Sequence, residues 1–247
     1  MCVVWNIDTI HVFLRKRSGL ILAYNRGMRV RGTAYQEAIE NLPPGAILVL
    51  QDVPWEDYEH LLDDIGNRRP GLRITYDRGR LEVMSPLFEH EQYKEFVLQL
   101  LRVLAEERQL TLESAGSTTW KRKRAQSGIE PDTSFYIASA PQIIGRKLDP
   151  QRDPPPDLAV EIDVTNESLS RLPLYAALVV PEVWRYSSKR SSLSMYELRE
   201  GSYVEISASR SFPMLMPEVL AGFIEKCANA GQTEALAEFR RWVRDQA

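Results

Sequence analysis

Glu161 and Asp163 alternate with apolar residues in the segment Asp157-Leu-Ala-Val-Glu161-Ile-Asp163. If this segment is a β-strand, both carboxylates lie on the same face of it, because successive side chains of a strand point to opposite faces. Carboxylates on a buried strand are costly to desolvate unless a cation or a hydrogen-bond donor pairs with them. The pattern therefore predicts either a metal-ion site or ion pairs with arginines.

A further acid, Asp132, immediately precedes another segment that is expected to be extended, residues 133–137. If the two strands are neighbours, Asp132 can reach Glu161. Asp132, Glu161 and Asp163 would then offer the oxygen ligands that suit Mg²⁺ (or Mn²⁺), which takes few carboxylates and keeps several waters. Such a cation activates a water molecule and offsets charge on a phosphate. In the alternative interpretation, Glu161 and Asp163 pair with arginines and no metal is needed.

Two basic features precede these acids in the sequence. His90 lies on the apolar stripe of a predicted long helix, where it could contact a metal-bound water or a phosphate, or could be a hydrogen-bonded core histidine. Lys121 opens the run Lys-Arg-Lys-Arg just before the Asp132 segment. In a strand, Lys121 and Lys123 face one way and Arg122 and Arg124 the other, so one of the two pairs could point at a phosphate, or the run could be a solvated loop.

These residues must be positioned by helices and strands, and the order of the elements expected from the sequence predicts an α/β fold with a mixed central sheet flanked by helices. A hairpin is predicted over residues 73–84, turning at Asp-Arg-Gly, followed by a helix from Ser85-Pro86 to about Arg108 that packs across the sheet. Apolar spacing also predicts strands over 157–164, 182–186, 193–198 and 203–206, a short helix within 169–178, and closing helices over 217–230 and 233–244. Residues 46–247 are expected to form one restriction-endonuclease-like domain with C-terminal helices.

Residues 1–45 are expected to be an N-terminal extension. The first 31 residues contain six basic residues and one acid and have an irregular apolar pattern. Extensions of this kind are rarely ordered unless they are tied down, so residues before about Val30 are predicted to pack poorly.

Composition limits the class of protein. The chain has 31 basic and 34 acidic residues, a net charge of −3, which argues against coating nucleic acid by bulk charge but leaves a local basic groove open. Two cysteines and three histidines make a structural zinc site improbable on residue count. No apolar stretch approaches the roughly 20 residues of a membrane helix, and no signal-peptide pattern is evident. A cytoplasmic protein without a membrane partner is expected.

Four ordered blocks of the sequence resemble the Uma-two family of proposed restriction endonucleases, within the PD-(D/E)XK nuclease superfamily. The blocks are Asp77-Arg-Gly-Arg-Leu-Glu-Val-Met-Ser-Pro86 with His90-Glu91, Gly128-Ile-Glu-Pro-Asp132 with Phe135-Tyr-Ile137, Pro155-Pro-Asp-Leu-Ala-Val-Glu-Ile-Asp163, and Tyr175-Ala-Ala-Leu178 with Val180-Pro-Glu-Val-Trp-Arg-Tyr186. The resemblance extends from about Val53 to the C-terminus.

This resemblance implies metal-dependent phosphodiester cleavage on a restriction-endonuclease-like fold. Asp132 matches the Asp of the Pro-Asp element, and Glu161 matches the acid of the (D/E)XK element. The lysine of that element is replaced by Asp163. Arg171 corresponds to a basic residue that family members carry in the following helix, and Lys121 is the other candidate for the missing lysine. Arginine stays protonated, so Arg171 can stabilise charge on a phosphate but cannot act as a general base.

The function predicted from these residues is a metal-dependent DNA endonuclease. Asp132, Glu161 and Asp163 are expected to hold Mg²⁺ (or Mn²⁺), with His90 and either Lys121 or Arg171 near the phosphate. DNA is the expected partner, and a homodimer would allow both strands to be cut. The alternative is a catalytically weak or inactive nuclease-like domain that binds DNA or protein.

Overall fold

The computed structural model describes residues 12–13, 21–23, 39, 41–66, 71–164 and 171–246. Its strands are β1 Val12–Phe13, β2 Ile21–Ala23, β3 Ile47–Leu50, β4 Arg73–Asp77, β5 Arg80–Met84, β6 Glu113–Ser114, β7 Trp120–Arg122, β8 Ser127–Ile129, β9 Thr133–Tyr136, β10 Leu158–Asp163, β11 Glu182–Ser187, β12 Ser192–Arg199 and β13 Ser202–Ile206. Its α-helices are α1 Trp55–Gly66, α2 Phe88–Arg108, α3 Leu172–Leu178, α4 Pro217–Ala230 and α5 Gln232–Asp245.

The chain divides into two compact units. Unit 1 comprises Met1–Leu87 with Lys121–Glu130, and unit 2 comprises Phe88–Trp120 with Pro131–Ala247. Each unit is built on its own sheet. The predicted α/β class is confirmed, but the strands belong to two sheets and not to one central sheet. The predicted hairpin is absent from the sheet that contains β10, because β5 pairs with β3 and β4 pairs with β8 in unit 1.

Unit 1 contains a seven-stranded sheet in the order β1-β2-β3-β5-β4-β8-β7. The β4–β5 hairpin has the predicted bounds, with Asp77 opposite Arg80, and its turn residues Arg78 and Gly79 adopt positive φ angles. Apolar residues of β3 to β5 and α1 form the core of this unit. The predicted extension lies mostly outside the described residues, and the described strand β2 pairs in parallel with β3.

Helix α2 begins two residues later than the Ser85-Pro86 motif predicts. The Ser85 N–H donates to the Ala46 carbonyl, and the Ser85 carbonyl accepts from the Gly45 N–H. These two bonds continue the strand pairing to Ser85 within unit 1. The helix therefore begins only at Phe88.

Unit 2 contains a six-stranded sheet in the order β13-β12-β11-β10-β9-β6. Strand β10 pairs in parallel with β11 and antiparallel with β9. The buried stripe of α2 packs in one core with the apolar residues of β10, β11, α4 and α5, which confirms that the long helix covers this strand. Among the described residues, no helix combines the length and apolarity needed to cross a membrane.

Gly128, in the second sequence block, is required by a close approach inside unit 1. A Cβ atom at Gly128 would lie 2.7 Å from Cζ of Tyr58 and closer still to its hydroxyl oxygen. Tyr58 is fully buried and stacks on Tyr76, with the ring centroids 4.7 Å apart, so the ring has no room to retreat. The glycine is therefore a packing requirement of unit 1.

We expect Gly128→Ala to lower the free energy of unfolding by about 1–3 kcal/mol, because overpacking displaces well-packed side chains. In a Tyr58→Phe background the loss should be smaller, since the nearest clashing atom is gone. Urea denaturation followed by circular dichroism measures both. The matched control is Gly222→Ala in α4, where an added Cβ meets open space and should be neutral or stabilising. An equal decrease in the free energy of unfolding for Gly128→Ala and Gly222→Ala would contradict the packing argument.

Helix α3 ends on a strained residue. Val179 caps the helix with φ 61° and ψ 40°, a left-handed conformation that disfavours β-branched side chains. Its N–H donates to the Ala176 carbonyl, which fixes this geometry. Glycine is the residue that most often occupies such a position after a helix.

We expect Val179→Gly to stabilise the protein by about 1 kcal/mol. The substitution removes the conformational strain of a β-branched residue in the left-handed region, and this gain exceeds the cost of the extra entropy that glycine gives the unfolded chain. Val179 is half exposed, so little packing is lost. Thermal unfolding measures the change. Val179→Ala keeps a Cβ in the same conformation and should not stabilise to the same extent. A lower melting temperature for Val179→Gly would show that the side-chain contacts of Val179 outweigh its backbone strain.

Candidate functional site

The candidate site is built on β10, near the middle of the unit 2 sheet. Leu158, Val160 and Ile162 point into the core beneath α2. Side-chain alternation places Glu161 and Asp163 on the opposite face, as the sequence predicts. Glu161 is only 3% exposed, so its charge must be compensated by neighbouring protein groups.

Asp132 is brought to Glu161 by the antiparallel pairing of β9 with β10. Thr133 lies opposite Val160, so Asp132, one residue earlier, lies beside the following residue of β10. The Ile162 N–H donates to Oδ2 of Asp132 over 2.7 Å. This hydrogen bond fixes the Asp132 carboxylate to the backbone of the strand that carries Glu161, and the Asp132 residue is only 1% exposed.

His90, in the first turn of α2, contacts the other oxygen of Asp132. The distance between Nε2 of His90 and Oδ1 of Asp132 is 3.0 Å, and both side chains are buried. Nδ1 of His90 lies 3.4 Å from a carboxylate oxygen of Glu91. His90 is thus both a core histidine and a neighbour of the acid cluster.

The two oxygens of Glu161 have different partners, and both partners come from α3 and the residue before it. The Arg171 guanidinium donates to Oε2, and the Tyr175 hydroxyl donates to Oε1. Arg171 is the N-cap residue of α3, and Tyr175 is buried within the helix. The short helix that links β10 to β11 therefore supplies both partners of this carboxylate.

Asp163 lies at the end of β10 and pairs with Arg185 of β11. The distance between Nη2 of Arg185 and Oδ2 of Asp163 is 3.0 Å. The parallel register sets Glu161 opposite Arg185, and Arg185 reaches along the strand to Asp163. Asp163 is the more exposed acid, with a quarter of its side chain accessible.

Burial and charge shift the pKa values of these groups in opposite directions. Burial lowers the pKa of His90, but the Asp132 carboxylate and, less strongly, Glu91 outweigh it and raise that pKa to about 9. Burial raises the pKa of Asp132, but the charges of His90 and Arg171 and the Ile162 N–H bring it below its usual range. At neutral pH, His90 and Asp132 are therefore an imidazolium–carboxylate pair.

The remaining acids are harder to ionise. Burial raises the pKa of Glu161 to about 7, although the charge of Arg171 opposes the shift. Burial also raises the pKa of Asp163, against the charges of Arg185 and Arg171. Asp132 adds to both shifts by repulsion, which means that the three carboxylates are close enough to influence one another.

Each of the three acids contacts a cationic side chain. The pairs are Asp132 with His90, Glu161 with Arg171, and Asp163 with Arg185. The structure thus contains the arginine partners that the metal-free interpretation requires of Glu161 and Asp163. Lys121 belongs to unit 1, where its ammonium lies 3.0 Å from a carboxylate oxygen of Glu59.

Sequence reasoning did not assign roles to Tyr175 or Arg185. Both fall inside the fourth sequence block, but a tyrosine or arginine in an apolar segment does not reveal its partner.

Two other buried acids accept hydrogen bonds from backbone N–H groups of loops. Glu182 accepts from the Arg210 and Ser211 N–H groups and the Trp184 indole, and Asp157 accepts from the N–H groups of residues 137 and 139.

The donor set suits a hard cation only in part. Asp132 and Glu161 offer carboxylate oxygens, and Mg²⁺ is commonly held by one or two carboxylates together with substrate phosphate oxygens. Within the described residues, no three side chains of His, Cys, Asp or Glu are grouped so that they could hold a metal ion by themselves. The residues therefore fit a cation that takes two protein carboxylates and depends on other ligands.

The His90–Asp132 pair predicts a pH dependence. A histidine whose folded pKa is about 9, against about 6.5 when unfolded, stabilises the fold fully below about pH 6.5 and loses that contribution as the pH rises through 9. Asp132→Asn should return the His90 pKa towards or below 6.5 and flatten the loss of stability over this range. NMR titration of the His90 imidazole and urea denaturation at several pH values measure both. An identical titration in wild type and variant would contradict the pair.

Comparison with known proteins gives the family. The family model Uma2, described as "Putative restriction endonuclease", matches residues 55–229. A crystal structure described as "a putative nuclease belonging to DUF820 from Anabaena variabilis ATCC 29413" is similar at 12% sequence identity and a TM-score of 0.41, covering 66% of this chain and 90% of that one. No curated protein sequence matches significantly. The family model spans well over half of the sequence and contains Asp132, Glu161, Asp163 and Arg171, and the chain therefore belongs to the Uma2 family.

Proposed function

We propose that this protein is a metal-dependent DNA endonuclease that hydrolyses phosphodiester bonds at the acid cluster of unit 2. The observation that carries the proposal is the convergence of Asp132 and Glu161, from neighbouring strands, in a member of a family described as "Putative restriction endonuclease". Nuclease-like function is supported by the family match. The metal dependence and the DNA substrate are the proposed part.

Asp132 and Glu161 would hold the Mg²⁺ (or Mn²⁺), with Asp163 beside them. Bound there, the cation would supply Lewis-acid stabilisation of phosphate charge and lower the pKa of a water molecule. Asp132 is oriented for this task by the Ile162 N–H, and Glu161 by the Tyr175 hydroxyl. Such support matters because ligands that are held by hydrogen bonds need little reorganisation.

The basic residues would act by charge and not as proton acceptors. Arg171 stays protonated, since the acids around it raise its pKa further above the ordinary value against the effect of burial. His90, with a pKa of about 9, is also protonated at neutral pH. Both can offset negative charge on a phosphate, whereas the proton of the attacking water must leave to solvent or to the substrate.

A specific observation favours a second candidate, an inactive or weakly active nuclease-like domain that binds DNA or protein. Both oxygens of Glu161 have protein partners, and each acid of the cluster is paired with a cation. Under this alternative, Asp132 and Glu161 serve only to stabilise the fold.

A homodimer and a cytoplasmic location are further predictions that belong with the endonuclease proposal.

We expect Asp132→Asn and Glu161→Gln to lower the rate of plasmid nicking at least about 100-fold, because losing a carboxylate ligand removes several kcal/mol of charge stabilisation. Nicking is assayed with Mg²⁺, with Mn²⁺ and with a chelator, and circular dichroism checks the fold. The control is Glu205→Gln, an exposed acid on β13 of the same sheet, which should cleave like wild type.

The outcomes separate the candidates. Cleavage that persists in both variants would mean that the acid cluster is not the active site. If wild type leaves supercoiled, linear and single-stranded DNA intact with either metal, the endonuclease proposal fails and the binding domain takes its place.

A further inference from the structure

Arg171 lies at the electrostatic centre of the acid cluster. Its guanidinium donates to Glu161, and the charges of Asp132 and Asp163 also act on it. The Arg171 side chain is 16% exposed and the Glu161 side chain 4%. The guanidinium that pairs with Glu161 is therefore a largely buried group of the chain itself.

A divalent cation at Asp132 and Glu161 would compete with Arg171 for the same negative charge. Two cations in one buried site repel each other strongly, since little water screens them. Arg171 cannot relieve this repulsion by losing a proton. It can do so only by leaving Oε2 of Glu161, while the Tyr175 hydroxyl continues to hold Oε1.

A largely buried guanidinium that leaves its carboxylate needs another anion, because a charge left unpaired with little access to water is costly. A phosphodiester matches this requirement. Its two unbridged oxygens carry a negative charge and accept from the planar guanidinium in the same forked geometry as a carboxylate does. Exchanging Glu161 for a phosphate oxygen therefore conserves the hydrogen bonding of Arg171.

We propose that Arg171 couples the binding of a divalent cation to the binding of a phosphodiester, by leaving Glu161 for the phosphate when the cation arrives. This inference rests on the proposed function. It means that the free protein binds divalent cations weakly and that a phosphodiester raises its affinity for them. By thermodynamic linkage, the cation raises the affinity for the phosphodiester by the same factor.

The test measures Mn²⁺ binding by the electron paramagnetic resonance signal of free Mn²⁺, without and with diethyl phosphate, at about pH 8, above the Glu161 pKa of about 7. In wild type, diethyl phosphate should raise the Mn²⁺ affinity roughly tenfold, within the range of about 5- to 150-fold for coupled sites. Arg171→Gln should bind Mn²⁺ roughly tenfold more tightly than wild type without the phosphodiester, and diethyl phosphate should then have little effect.

Arg240→Gln is the matched control, because it also removes one arginine from ion pairs in unit 2, those with Glu106 and Glu107. It should leave both the Mn²⁺ affinity and the effect of diethyl phosphate unchanged. If Arg171→Gln fails to fold, Arg171→Lys keeps the charge but loses the fork, so its diethyl phosphate enhancement should fall below that of wild type. An enhancement equal to wild type in either Arg171 variant overturns the coupling.

The failures are distinguishable. If wild type and Arg171→Gln bind Mn²⁺ with equal affinity and the same response to diethyl phosphate, the role of Arg171 is wrong but the metal site stands. If neither protein binds Mn²⁺ with or without diethyl phosphate, the metal-dependent function and the coupling are both overturned.

Discussion

The desolvation of carboxylates on one face of β10 is the constraint on which the site depends. Glu161 and Asp132 are almost inaccessible to water, and a buried ionised carboxylate without a partner is among the most destabilising features a fold can contain. Three elements supply a cationic partner for these carboxylates. Helix α2 contributes His90, β11 contributes Arg185, and the α3 region contributes Arg171. The arrangement of unit 2 around β10 is therefore determined by charge pairing as well as by the burial of apolar side chains.

The same strand has an opposite requirement on its other face. Leu158, Val160 and Ile162 need an apolar cover, and α2, α4 and α5 provide it. Helix α2 contributes to both requirements. Its buried stripe covers the apolar side of β10, and His90, at its beginning, contacts Asp132. A well-packed core beneath β10 limits how far the carboxylates above it can shift. The hydrophobic core thus helps to hold the charged groups in register from the other face of the strand.

The sequence predicted most elements of the fold because their signals are local. Alternation marked β10, helical spacing marked α2, and the Asp-Arg-Gly turn marked the β4–β5 hairpin. The division into two sheets could not be predicted, because strand partners are chosen by long-range packing and not by local pattern. The grouping of Asp132 with Glu161 followed from alternation and the family resemblance. Tyr175 and Arg185 were missed because the partner of a polar side chain depends on register and on the placement of a connecting helix.

The parallel pairing of β10 with β11 has a consequence for how the protein folds. Parallel strands cannot be joined by a tight turn, so the chain from Asp163 to Glu182 must close a loop before the two strands can meet. That loop carries α3 with Tyr175, and β11 carries Arg185. Pairings of this kind are slower to form than a hairpin, because the loop must close before the strand contacts can form. Until that loop closes, the acids of β10 lack Tyr175 and Arg185, so the complete charged cluster requires β10, α3 and β11 to have come together.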